Sequence, residues 1–342
     1  MPKAPVPDPT LKIGLDINHK PVPGWQIRAR PVDAKGRQNW EVLRDGSMPL
    51  YLGYFFEYSG YSDAKMRGLA RTSSATGGLA YEPSDWTQFG YWPELLYPTA
   101  WAESNAVFTV INAWDRAAMT LGFIQLAAHT GDDFLPFFRT LIEKLPAEAR
   151  QWFPELAVIG GRLCFMKGGK YRSLEEKSAP WDGGYTESYY HGDLMGFFNP
   201  DRYHAAKPAD PEELHSAARW LTWTLTSKPM RELQVQASID NLKNSLKLLH
   251  RKMLADPAVL AKYPKGVDGM RCDLLAMAIA APHLGDRHVK VILGALKTAD
   301  PIEAIRISGY GPGGRSQNTY DGMIKRPKLK QLKYDLAAGK PV

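Results

Sequence analysis

The stretch Trp101-Ala-Glu-Ser-Asn-Ala-Val-Phe-Thr-Val-Ile-Asn-Ala-Trp-Asp115-Arg-Ala-Ala-Met-Thr120-Leu-Gly-Phe-Ile-Gln125-Leu-Ala-Ala-His-Thr130-Gly-Asp132 changes character several times along its length. Before it, Pro93 to Glu103 reads as a helix, with proline at the start, where a missing N–H costs nothing. Val107 to Ile111 is β-branched and aromatic, which favours a strand. Asn112 to Asp115 is turn-like, and Met119 to Gly122 can return as a second strand, making a short hairpin. Phe123 to His129 then begins another helix. Asp132 or Asp133 caps a further one, whose Phe134, Phe138, Leu141 and Leu145 follow the helical period. One carboxylate, Glu103, stands near a helix end, and another, Asp115, stands in a turn twelve residues on. That order can set two acids on opposite walls of a groove. Glycoside hydrolysis needs such a pair, one acid to protonate the leaving oxygen and one to activate water or attack the sugar.

Glu103-Ser-Asn followed by Gly122-Phe-Ile-Gln125-Leu resembles the lysozyme superfamily, in particular goose-type lysozymes and soluble lytic transglycosylases, with their Glu-Ser and Gly-Leu-Met-Gln-like turn. Asp115, Thr120, Gly122 and the terminal Thr130-Gly-Asp132 are in register with the family 46 chitosanases of the same superfamily. The resemblance implies Glu103 as general acid, Asp115 as general base and Thr120 as the hydroxyl that helps hold the attacking water. Glu103 would be kept protonated by a partly apolar setting near Trp101. A carboxylate separation of roughly 6.5–9.5 Å implies inversion, and about 5–5.5 Å retention. The pair is closer in sequence here than in those chitosanases, and Arg116-Ala-Ala-Met119 differs from their pattern. Each residue also has an ordinary alternative. Glu103 can be a solvated helix carboxylate, Asp115 a partner for Arg116 or a turn cap, and Thr120 a strand residue. Gln125 can be a substrate contact, a helix cap or a core hydrogen-bonding group. Tyr97, Trp101, Asn112, Trp114 and Tyr189 are the further substrate-binding candidates, with Trp181 and Tyr190 beside them, because flat aromatic faces suit sugar rings as well as cores.

Working outward, residues 1–50 are punctuated by prolines and read as extended, with alternating runs, Trp25 to Arg30 and Asn39 to Leu43, around a turn at Asp33 to Gly36. Residues 51–92 show no sustained helical period and read as loops with short elements. Beyond Pro211 the chain is mostly helical. Asp210-Pro211 makes a capped start, and Ile239, Leu242, Leu246, Leu249 and Met253 form one stripe over 230–254. Asp273 to Ala281 and Val289 to Leu296 add two helices, and Gly309 to Arg315 breaks the pattern. The expected fold is α+β, mainly α: a lysozyme-like two-lobed core with a short β-hairpin over 91–320. An N-terminal β-rich extension or docking module over 1–90 precedes it, and a basic tail over 321–342 follows. Other candidates are weaker. His191 and Asp193 lack further metal ligands at useful spacing. His283 and His288 read as surface residues, Glu57 has no partner acid in a comparable pattern, and Gly311 to Gly314 lacks the ending of a phosphate loop. No metal or cofactor is expected.

The 342 residues are 44% apolar and 23% charged, enough for a sizeable core, and no run approaches the about 18 apolar residues of a membrane span. No stable membrane insertion is expected. Two cysteines, Cys164 and Cys272, make no disulfide framework. The first residues lack the apolar core of a secretory signal. That fits a protein made in the cytoplasm that reaches the wall by holin release, in a virion or by injection. With 10 Trp, 16 Tyr and a net charge of +7, an anionic partner is favoured. Chitosan is a polycation and peptidoglycan is anionic, so charge favours peptidoglycan. A chitosanase and a lytic transglycosylase forming a 1,6-anhydro product stay open, as does a non-catalytic wall-glycan-binding or structural protein of a phage or secretion apparatus. No nucleic-acid reading motif is found.

Overall fold

A computed structural model of the chain describes residues 24–44, 48–58, 66–114, 119–128, 131, 133–177, 191–199, 210–280, 286–311 and 314–342. The elements up to the middle of the chain are β1 (Trp25–Ala29), β2 (Asn39–Arg44), β3 (Leu50–Tyr58), β4 (Met66–Arg71), a 3-10 turn (Pro83–Phe89), α1 (Trp92–Ser104), β5 (Ile111–Asn112), β6 (Thr120–Leu121) and β7 (Leu126–Ala127). There follow α2 (Phe134–Lys144), α3 (Pro146–Trp152), β8 (Leu156–Ile159), β9 (Arg162–Lys167), β10 (Lys170–Ser173), α4 (Gly192–Phe198) and α5 (Pro211–Thr226). The last part holds α6 (Lys228–Ala255), α7 (Pro257–Lys262), α8 (Cys272–Ile279), α9 (Asp286–Leu296), α10 (Pro301–Ile307), α11 (Arg315–Ile324), a second 3-10 turn (Pro327–Lys330), β11 (Tyr334–Asp335) and β12 (Lys340–Pro341). With about 50% helix and 19% strand among the described residues, the structure is mixed α+β, mainly α.

The chain divides into two compact units, one from residues 1–79 and 108–233, the other from 80–107 and 234–342. These are not the expected boundaries at 90 and 320. The N-terminal strands are no separate extension: β4 pairs with β5 through Ala70–Asn112 and Arg71–Ile111, so β1 to β7 form one antiparallel sheet in sequence order. Residues 51–92, read as loops, hold β3, β4 and the first 3-10 turn. Nor is 321–342 a loose tail. Gly269 and Cys272 donate backbone hydrogen bonds to Tyr334 and Leu332, and Lys333 exchanges two with Val342.

In the first unit, Gly68 lets β4 approach its neighbour, since a Cβ there would lie 2.2 Å from the Ala113 carbonyl oxygen. The expected helix from Phe123 is absent. Gly122 and Gln125 take left-handed φ values of 79° and 56°, which close a tight turn into β7 and break the helical period. The strand expected over Val107 to Ile111 is reduced to β5 and, in the second unit, an isolated bridge from Val107 to Ala80. Helix α2 forms as read, and Phe134 and Phe138 stack at 4.6 Å. Phe153, Phe198 and Trp220 close around them in an aromatic core. In the second unit, Ile239, Leu242, Leu246, Leu249 and Met253 of α6 are all buried, as their spacing requires. No described helix is long and apolar enough to cross a membrane.

Candidate functional site

Glu103 lies in the second unit, on the last turn of α1. Leu95, Leu96 and Ala100 bury that helix, and its Tyr97 stacks between Tyr81, which precedes the helix, and Trp101, at 6.4 and 6.0 Å. The helix ends in strained backbone. Asn105 and Ala106, neither a glycine, take left-handed φ values of 51° and 57°, a conformation that costs roughly 1–2 kcal/mol for an L-residue such as alanine. Their N–H groups return to the carbonyls of Trp101 and Ala100. Ser104 braces the turn, donating to the Ala100 carbonyl at 3.1 Å and accepting from the Val107 N–H at 3.1 Å. Strain of this kind persists where surrounding contacts hold it, and it concentrates at functional sites.

Helix α11 crosses α1 closely. A Cβ at Gly322 would lie 2.7 Å from the Trp101 Cβ and 2.9 Å from the Pro98 Cα. The chain enters α11 through Gly314, at φ 72°, and Ser316 fixes that end by donating to the Arg306 carbonyl at 2.9 Å. Arg315, the first residue of the helix, thereby meets Glu103 in an ion pair whose side chains are only 18% and 6% exposed. Burial pulls the Arg315 guanidinium down to about 10, so it remains a cation at neutral pH. A carboxylate against a guanidinium is favoured in its charged form. Glu103 thus has a guanidinium beside it, where the sequence predicts a partly apolar setting near Trp101. Beyond α11 the cations continue along α1. Arg326 pairs with Glu94 through two hydrogen bonds of 2.6 and 2.7 Å. Lys325 Nζ lies 4.2 Å from the centre of the Trp101 ring, and Lys328 Nζ lies 4.3 Å from that of Tyr91.

The other expected site residues divide between the units. Tyr97 and Trp101 share α1 with Glu103, but Tyr97 is 7% exposed inside the ring stack and offers little face to a sugar. Trp101 is partly exposed, with Lys325 over its ring. Asn112, Trp114, Thr120 and Gln125 belong to the first unit. Thr120 is buried in β6 opposite Asn112 and Ala127, and Asn112 is half-buried in β5. The Trp114 ring meets Phe56 edge-on at 4.9 Å. Gln125 closes its own turn, donating to the Gly122 carbonyl at 2.7 Å. Asp115, Tyr189, Trp181 and Tyr190 lie outside the described residues, as do Thr130 and Asp132 of the terminal motif.

Among the weaker candidates, Glu57 is exposed on β3, and His191 is buried, with its ring where a Gly131 side chain would go. His288, read as a surface residue, is buried against Tyr310. Among the described residues no three His, Cys, Asp or Glu side chains are placed to hold a metal. A cleft of about 650 Å³ in the second unit, lined by Tyr263, Lys265, Met270, Arg271, Asp300 and Ile302 among others, includes none of the expected site residues.

Two features escaped the sequence reading. In the sequence Arg315 stands only as the end of a glycine-rich break. A helix start after Gly314 was its one local signal, and nothing local points to Glu103. Glu213 of α5 is fully buried and accepts the Leu69 N–H at 2.6 Å. Two-residue β5 reaches only Ala70 and Arg71, and Glu213 supplies a partner for the next amide of β4. Burial pushes its carboxyl up to about 8, against the lowering effects of that N–H and of Arg67.

No protein-family model, curated protein or solved structure matches the chain.

Proposed function

We propose that the protein is a glycoside hydrolase of bacterial peptidoglycan, with Glu103 as general acid and Asp115 as general base on a lysozyme-like core. The observation that carries this reading is the enclosed Glu103–Arg315 pair at a strained helix end. Burying an ion pair is often no better for stability than an apolar pair of the same volume, so packing alone is a poor reason to keep it. Charged groups withdrawn from water are also how reacting carboxylates are tuned. The order of elements supports the reading further: a helix ending in Glu103, then the short strands β5 to β7, then α2.

In this mechanism Arg315 holds Glu103 ionised while the site is empty. An anionic group of the bound glycan draws Arg315 onto itself. Glu103, left without its counter-ion and largely out of water, then takes up the proton that it delivers to the glycosidic oxygen. Asp115 activates the water. Thr120, buried in its strand, serves this scheme as scaffold more readily than as a water ligand. Chitosan carries no anion to engage Arg315, so the arrangement favours peptidoglycan. Holin release, virion delivery or injection would bring such an enzyme to the wall.

The same ion pair favours one second reading. A carboxylate that stays on Arg315 cannot donate a proton, and the chain would then bind wall glycan without cleaving it. Incubating the protein and its Glu103→Gln variant with peptidoglycan and with chitosan, followed by mass spectrometry of the products, separates the two. Muropeptides with reducing ends from the wild type alone, at a temperature where the melting curve of the variant shows it still folded, support the hydrolase. Anhydro ends indicate a transglycosylase. Equal turnover by both proteins removes Glu103 from the chemistry, and no turnover on either substrate leaves the binding reading.

A further inference from the structure

The cations along α1 fall into two kinds. Arg315 and Arg326 are neutralised by Glu103 and Glu94. Lys325 and Lys328 are both exposed, their ammonium groups lie over the Trp101 and Tyr91 rings, and no carboxylate of the described residues pairs with either. The nearby acids Glu94 and Glu82 act on Arg326. A ring face attracts an exposed ammonium by roughly 0.5–1 kcal/mol without cancelling its charge, so it restrains the long side chain and leaves the charge available. Tyr91 and Trp101 are separated by ten residues at the start and end of α1, or roughly 15 Å at 1.5 Å per residue. Two cations with no carboxylate partner among the described residues therefore lie along α1, one over Tyr91, which precedes the helix, and the other over Trp101, whose ring is borne two residues before Glu103. Lys330, in the second 3-10 turn, is also exposed.

We propose that this edge, α1 with residues 315–330, is a binding track for a linear anionic wall polymer, whose carboxylate or phosphate groups are held by Lys325 and Lys328. The proposal deepens the hydrolase reading, on which the choice of a wall polymer rests. The test is co-sedimentation of the full chain with insoluble peptidoglycan, at low and at high salt, for the wild type and for Lys325→Gln/Lys328→Gln. Both lysines are exposed, so equal melting temperatures are expected and serve as the folding control. Four ligands are compared: peptidoglycan with its phosphate polymers, the same stripped of them, the stripped material with its carboxylates amidated, and duplex DNA as competitor.

The expected result is binding that weakens with salt and falls about tenfold or more in the double variant. Binding that survives stripping and is lost on amidation assigns the contact to carboxylates. Binding lost on stripping assigns it to phosphate. The proposal is overturned by equal sedimentation of the two proteins, by wild-type binding indifferent to salt, or by DNA displacing the wall at sub-stoichiometric amounts. Lysine-dependent binding with no cleavage by the wild type sinks the hydrolase reading and leaves the track standing. Cleavage indifferent to both lysines does the reverse.

Discussion

Glu103 and Arg315 hold each other in a nearly enclosed site, so removing one partner strands the other. Glu103→Gln and Arg315→Met are each expected to cost about 3–5 kcal/mol, the range for breaking a buried pair. The double variant is expected to cost less than the sum, since neither charge is then left alone. Urea unfolding of the four proteins measures the coupling, and strict additivity would show that the two side chains do not interact in solution. Glu213 yields a prediction of opposite character. Its carboxyl titrates near 8 in the folded chain against 4.5 for an ordinary glutamate. The folded state therefore keeps a proton that the unfolded chain gives up. The stabilisation is fully present below about pH 4.5 and is lost as pH rises toward 8, at about 1.4 kcal/mol per unit of difference. Glu213→Gln can still accept the Leu69 N–H and does not titrate. Between pH 5 and 8 it is expected to lose less stability than the wild type, by a few kcal/mol. Parallel stability profiles for the two proteins would place the Glu213 carboxyl in contact with water.

At the scale of elements, the approach of α11 to α1 decides where Arg315 goes. Gly322 permits that approach, because a methyl group there meets the Pro98 backbone and the base of Trp101. Gly322→Ala is expected to push the helices apart and cost about 1–3 kcal/mol, as overpacking does. Under the proposed function the same change lowers turnover of peptidoglycan, because it moves Arg315 and Lys325 together. A melting temperature equal to the wild type's would show that α11 can shift at no cost. Elements with a strong local pattern were legible beforehand. Helix α6 follows from its Ile239 to Met253 stripe, α2 from Phe134 and Phe138, and the start of α5 from Asp210-Pro211, whose carboxylate caps Glu212 at 2.9 Å. The strands β5 to β7 were half legible. Gly122 marks their turn, but Gln125 adopts a left-handed φ that its residue type does not announce.

For the molecule as a whole, the chain leaves the first unit at residue 79, returns at 108, and leaves again at 233. A cut at residue 90 therefore separates no domain. A chain starting at residue 91 would lack β1 to β4, exposing the edge of β5, and would lack Tyr81 of the ring stack on α1. It is expected to lose cooperative thermal unfolding, measured by calorimetry. A sharp transition near the full-length melting temperature would restore the idea of a separable N-terminal module. What the sequence determined by itself is what neighbouring residues decide: the helical stripes, the capped helix starts, the mixed α+β class with its excess of helix, and Glu103 at a helix end. Only the tertiary structure decided the rest: the joining of β4 to β5, the folding of the basic tail, and the arrival of Arg315, Lys325 and Lys328 beside α1. The physical reason is that periodicity and capping act within a few residues, whereas an ion pair or a cation over a ring is set by where distant backbone comes to lie. Residues as common as Arg315 and Lys325 carry no local mark of the partner they will meet.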